Sequence, residues 1–113
     1  MFLLVHVLEQ TDRLPDLLAA LAEAGVPGTT VIDSVGMGRI LAETVPEGEL
    51  VEKIRGIIDR GRPTNKTIFT AVSERETVET ACEVIRRVCG DLDGPGRGIL
   101  FWLRLDHAEG LIA

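Results

Sequence analysis

TIFTAVSERETVETACEVIRRVCG, residues 67–90, holds a strand, a turn and a helix in one run. Thr67–Val72 is rich in β-branched and apolar residues, which fit a pleated, half-buried surface. Ser73 and Glu76 have the spacing of a capping box, in which each side chain satisfies a backbone amide at the helix start. Val78, Ala81, Cys82, Ile85, Val88 and Cys89 then share one stripe of a 3.6-residue period. Glu74, Glu79, Glu83, Arg86 and Arg87 are kept off that stripe, and Glu83 and Arg87 are spaced for an ion pair one turn apart. Gly90 ends the helix.

The same order stands at the start of the chain. Phe2–Leu8 is a nearly unbroken apolar run and reads as a buried strand. Thr11 and Asp12 offer helix caps, and Pro15 is tolerated in a first turn. Leu14, Leu17, Leu18 and Leu21 recur at helical spacing, Gly25 stops the helix and Pro27 prevents its return. Thr29–Val35 reads as a second strand, and Ile99–Leu105 as the last. Two strand–helix–strand halves imply an α+β, ferredoxin-like βαββαβ sandwich: a four-stranded antiparallel sheet with two helices on one face. The 113 residues fit a single domain, 1–113.

A strand with one wet face alternates apolar and polar residues. FLLVHVL (2–8) and ILFWL (99–103) do not. Both faces of these strands require burial, yet two helices cover only one, so an oligomer is expected from the strands alone. His6 reads as a buried histidine with its hydrogen bonds satisfied. Asp33 reads as an edge residue or a subunit contact.

Composition narrows the function. Twelve basic and 18 acidic residues give a formal charge of −6, a poor footprint for nucleic acid. Cys82 and Cys89 lie two helical turns, about 10 Å, apart, too far to pair, and read as small core hydrophobes. MFLLVHVLEQ (1–10) lacks the basic start and small-residue cleavage site of a signal peptide, and no run reaches the ~20 residues of a membrane helix. A cytoplasmic location is expected. There is no nucleophile elbow, no supported Cys–His pair and no metal-ligand cluster, so neither an enzyme nor a metal site is expected.

Between the halves lies an insert, about residues 37–65. A helix is expected from about Gly48 to Arg60, with Leu50, Ile54 and Ile57 on its apolar stripe as the candidate partner contact. Pro46, Gly48, Gly61 and Pro63 bracket it.

Two glycine-rich turns each carry one arginine: DSVGMGRI (33–40) with Arg39, and DGPGRG (93–98) with Arg97. Bare amides form anion-binding nests, and a guanidinium matches phosphate geometry. Glycine turns also serve the backbone alone, and Pro95 removes one donor from the second.

At these turns the chain resembles the nitrogen-regulatory PII superfamily, over nearly its whole length. LPDLLAALAEAGVPGTTVIDSVGMGR (14–39) is similar to that family's first helix, second strand and the start of its T-loop, and GPGRGILF (94–101) to its B-loop and fourth strand. The resemblance implies a homotrimeric signalling protein that binds a small anionic ligand in clefts between subunits, with an adenine nucleotide as the cofactor-like candidate, and that acts on a protein partner through the insert in place of the T-loop. It assigns ligand contacts to Thr30, Gly36, Gly38, Arg39, Gly94, Gly96 and Arg97, with Gly98 as an extra residue. The alternative is a trimeric interaction protein of the same fold without a ligand. There are departures: the chain has no tyrosine to be uridylylated, Ile40 replaces the family's metal-holding glutamine, and RLDHAEGLIA (104–113) lacks the family's arginine pair.

Overall fold

The computed structural model describes residues 1–26, 28–44, 64–93 and 97–111. In chain order these form β1 (Phe2–Leu8), a 3-10 turn (Thr11–Arg13), α1 (Leu14–Glu23), β2 (Thr30–Ser34), α2 (Met37–Thr44), β3 (Asn65–Val72), α3 (Arg75–Cys89) and β4 (Ile99–Arg104). The sheet order is β2-β3-β1-β4, with every neighbouring pair antiparallel. This is the expected α+β ferredoxin-like arrangement, with β2 and β4 as its two edges.

Period-2 patterning decides what each strand buries. Leu4, His6 and Leu8 of β1 and Ile68, Thr70 and Val72 of β3 point to one face and are buried. There they meet Leu17 and Leu21 of α1 and Val78, Ala81, Cys82, Val84, Ile85 and Cys89 of α3. The α3 stripe is thus the expected one, with Val84 added. Each fully buried leucine contributes about 2 kcal/mol by removal from water.

The opposite face is also apolar. Register aligns Leu3, Val5 and Val7 of β1 with Leu103, Phe101 and Ile99 of β4 on one side and with Ala71, Phe69 and Thr67 of β3 on the other. No described helix covers this face, and Ile99, Phe101 and Leu103 are 55%, 43% and 44% exposed.

Helix ends differ from the sequence reading. α3 starts one residue later than a Ser73 cap requires: Glu74 takes the cap position without a side-chain bond, and its carbonyl accepts from Thr77 and Val78. The Ser73–Glu76 capping box therefore does not form. The ion pair along α3 is Arg75–Glu79, at 3.7 Å, in place of Glu83–Arg87. The chain enters α1 through the 3-10 turn, with Gln10 and Arg13 at the two cap positions in place of Thr11 and Asp12, and neither makes a side-chain cap bond. Gly25 and Gly90 do end α1 and α3, both at positive φ.

Asp33 lies on the β2 edge and pairs with Lys66 across the strands. His6 is buried as expected, but neither ring nitrogen has a protein partner, which corrects the satisfied reading. Its neighbours across the sheet, Ile68 and Leu100, are apolar and offer nothing to bond.

Candidate functional site

One end of the sheet gathers the C-termini of β1 and β2 and the N-termini of β3 and β4. Ser34 faces Asn65 there, and Val7 faces Ile99. Both glycine turns meet this end. They do so at opposite edges, because Gly36–Arg39 follow β2 and Arg97 precedes β4. Three strand spacings, about 14 Å, separate the two edges within one chain.

The first turn is a helix start. The Gly36 carbonyl accepts from Ile40 N at 3.4 Å, so Gly36 opens α2 and Gly38 lies inside it, buried. Neither glycine has positive φ. The expected nest of alternating amides is therefore replaced by the first turn of an eight-residue helix, whose free amides carry partial positive charge. Arg39 stands in that turn, half-buried. The residue types there misled because glycine after a β-branched run reads as a turn, while Met37 and Arg39–Glu43 also tolerate helix.

Polar side chains tie the two ends of the insert together beside this turn. Ser34 Oγ donates to Asn65 Oδ1 and lies 2.8 Å from Thr67 Oγ1. With its one proton engaged, Ser34 accepts from the Thr67 hydroxyl. Asn65 is buried, and a methyl group on Gly36 would meet its Nδ2 at 3.5 Å.

The second turn is described only at Arg97 and Gly98; Gly94 and Gly96 lie outside the described residues. So do the expected 48–60 helix and Leu50, Ile54 and Ile57. Arg97 is exposed, and its Nη1 lies 3.3 Å from where a Cβ on Gly90 would stand. The guanidinium therefore rests by the C-terminal end of α3, where unpaired carbonyls favour a cation. Gly98 has φ +89, and a Cβ on it would fall 2.0 Å from the Val7 carbonyl oxygen. The residue that looked like an insertion is the one that lets the turn close onto β1.

Thr30 sits apart from both arginines, four residues and about 13 Å along β2 from Ser34. It opens on a cavity of about 370 Å³. The cavity exists because β2 is shorter than β3: Thr30 pairs with Phe69, and Thr70–Val72 have no β2 partner. Gly28, Val26 and Thr30 form one wall, Ser73, Glu74 and Thr77 another, and Gly110 and Leu111 a third. Among the described residues Glu74 is its only charged lining residue. Hydroxyls and apolar carbons suit an uncharged group, and a carboxylate disfavours phosphate there. Of the residues named from sequence, Thr30 lines this cavity; Gly28, Ser73, Thr77 and Leu111 line it too and were not named as site residues. Only the unequal strand lengths signal the cavity, and those are not legible at residue resolution in sequence.

Among the described residues the shifted titrations lie in the core. Burial lowers His6 from 6.5 to about 4 and raises the thiols of Cys82 and Cys89. All three are core residues. Among the described residues no group of three or more His, Cys, Asp or Glu side chains is disposed to hold a metal ion, and no helix is long and apolar enough to cross a membrane.

A search of curated proteins finds no significant match. The family model "Nitrogen regulatory protein P-II" matches residues 2–111, from the first residue of β1 to Leu111 at the cavity wall. A match of that length, over a sheet of this order with two helices on one face, makes the chain a member of the nitrogen regulatory protein P-II family, whose proteins are regulatory.

Proposed function

We propose that this chain is a PII-like regulatory protein that assembles as a homotrimer, binds a small anionic ligand in clefts between copies, and acts on a protein partner through the 37–65 insert. An adenine nucleotide is the first candidate ligand. The observation that carries the reading is the division of the candidate contacts. Arg39 and Arg97 lie at opposite edges of one sheet, and the Thr30 cavity lies toward its other end. One chain cannot close these groups on one small molecule, whereas neighbouring copies packed through the open apolar face can bring different edges together. An uncharged ring would enter the cavity, and its anionic end would meet the arginines and the first turn of α2. A cytoplasmic site of action is part of this reading.

Calorimetric titration with ATP, ADP, AMP and cyclic di-AMP, on protein whose mass in solution has been measured, tests this. Heat from at least one of them on a trimer is expected. A folded trimer that binds none overturns the nucleotide part.

A second reading, a trimeric interaction protein without a ligand, is favoured by one feature. Arg97 rests against Gly90 at the end of α3, a position that serves the helix without any anion. On this reading Arg97→Ala lowers stability by a few tenths of a kcal/mol and changes nothing else.

A further inference from the structure

The wall of the Thr30 cavity formed by Gly110 and Leu111 differs in kind from the others. The remaining lining belongs to β1, the α1–β2 connection, β2, β3 and the start of α3, with Leu3, Phe69 and Ala71 on the open apolar face of the sheet. Gly110 and Leu111 arrive on the segment that follows β4. Its backbone is tied to the body by Leu105 N, which donates to Met1 O at 3.0 Å. Beyond Leu105 no described residue of the segment makes a backbone hydrogen bond to a strand or helix. The contact between His107 Nε2 and Glu109 Oε2, at 3.2 Å, is internal to the segment and exposed. Gly110, at φ +84 with open space around its Cα, makes the bend that leads to Leu111. Leu111 is half-buried and lies at the notch where β3 runs past the end of β2.

We propose that residues 106–111 form a displaceable strap across this notch, with Leu111 as its plug. Among the described residues the segment makes no backbone hydrogen bond to a strand or helix, and Ala108 and Leu111 are its half-buried side chains; a segment so lightly held opens locally while the fold stays intact. The strap thereby controls entry to the cavity, and a molecule entering it competes with Leu111. The competition rests on the ligand reading above; the strap itself does not.

Thr77→Cys places a thiol in the cavity wall, and its rate of labelling by a methanethiosulfonate reads the opening without any ligand. Cys82 and Cys89 are buried and serve as silent controls. Adding Leu111→Asp should speed labelling roughly tenfold by favouring the open strap. Equal rates with and without Leu111→Asp overturn the strap. If Thr77→Cys fails to fold, hydrogen exchange at the amides of Thr70–Ser73 decides instead, compared between the parent and Leu111→Asp. Faster exchange in the variant supports the strap, and unchanged exchange overturns it. Titration of both proteins with ATP separates the two claims. Tighter binding to Leu111→Asp supports the competition. Faster labelling without ATP binding to either protein leaves the strap standing and removes the nucleotide.

Discussion

Gly98 approaches Val7 so closely that a methyl group on its Cα would lie 2.0 Å from the Val7 carbonyl oxygen. Its φ of +89 is also outside the range that side chains readily adopt. Both the contact and the dihedral must be relieved if a side chain is added. Gly98→Ala is therefore expected to destabilise the fold by more than about 2 kcal/mol, seen as a lowered midpoint in urea denaturation. A change within about 0.5 kcal/mol would show that the turn can move off β1 freely.

His6 makes stability depend on pH. Burial holds its folded-state pKa at about 4, below the ordinary 6.5. Between those values the unfolded chain binds the proton and the folded chain does not, so stability is full above pH 6.5 and falls as pH drops toward 4. The loss attributable to this group is about 3 kcal/mol across the window. His6→Leu should flatten that part of the curve and leave the unsatisfied ring nitrogens out of the core. Parallel pH profiles of denaturation for parent and variant measure the difference. Identical slopes would place the acid sensitivity elsewhere.

Phe101 is 43% exposed on the open face, at the centre of the row Val5–Phe101 and Phe69. A charge there opposes burial of the face by another copy and costs the isolated fold little. Phe101→Glu should convert the assembly to monomer, read by sedimentation, with the helix signal in circular dichroism retained. A trimer that survives Phe101→Glu would mean that copies associate through another surface.

Arg97 separates the two readings of its turn. Arg97→Ala should weaken a bound nucleotide about tenfold, the effect of losing one charge-assisted contact, while the fold and oligomer remain. Unchanged binding, with only a few tenths of a kcal/mol of stability lost, would instead assign Arg97 to the end of α3.

Cys82 and Cys89 are free, buried and raised in pKa by that burial. Both should resist an aqueous thiol reagent in the folded protein and react fully after denaturation. Prompt labelling of either in the native state would mean that α3 opens far more often than its packing allows.

The architecture was legible because it rests on periodicity. The α3 stripe and the two apolar strands encode which faces are buried, and topology follows from two repeated halves. Helix starts were not legible. Ser73 and Glu76 have capping-box spacing, yet the helix begins one residue later, since tertiary packing of Val78 and Cys82 sets its phase. DSVGMGRI illustrates a second limit: glycines signal a turn, but Gly38 is buried within α2 and needs no special dihedral. At Gly98 the error ran the other way. A residue that matched nothing proves to be required by its 2.0 Å approach to β1. The cavity beside Thr30 depends on β2 beginning only at Thr30, opposite Phe69, while β3 continues to Val72. Such a difference in length arises from how strands end, which composition does not specify.

The placement of Arg39 and Arg97 at opposite edges of a four-stranded sheet has a thermodynamic consequence. A molecule that engages both arginines binds an assembly and not a chain. Its apparent affinity then rises with protein concentration, and it in turn holds copies together on dilution, by mass action. On the proposed ligand reading, abundance of the protein and abundance of the small molecule become linked variables.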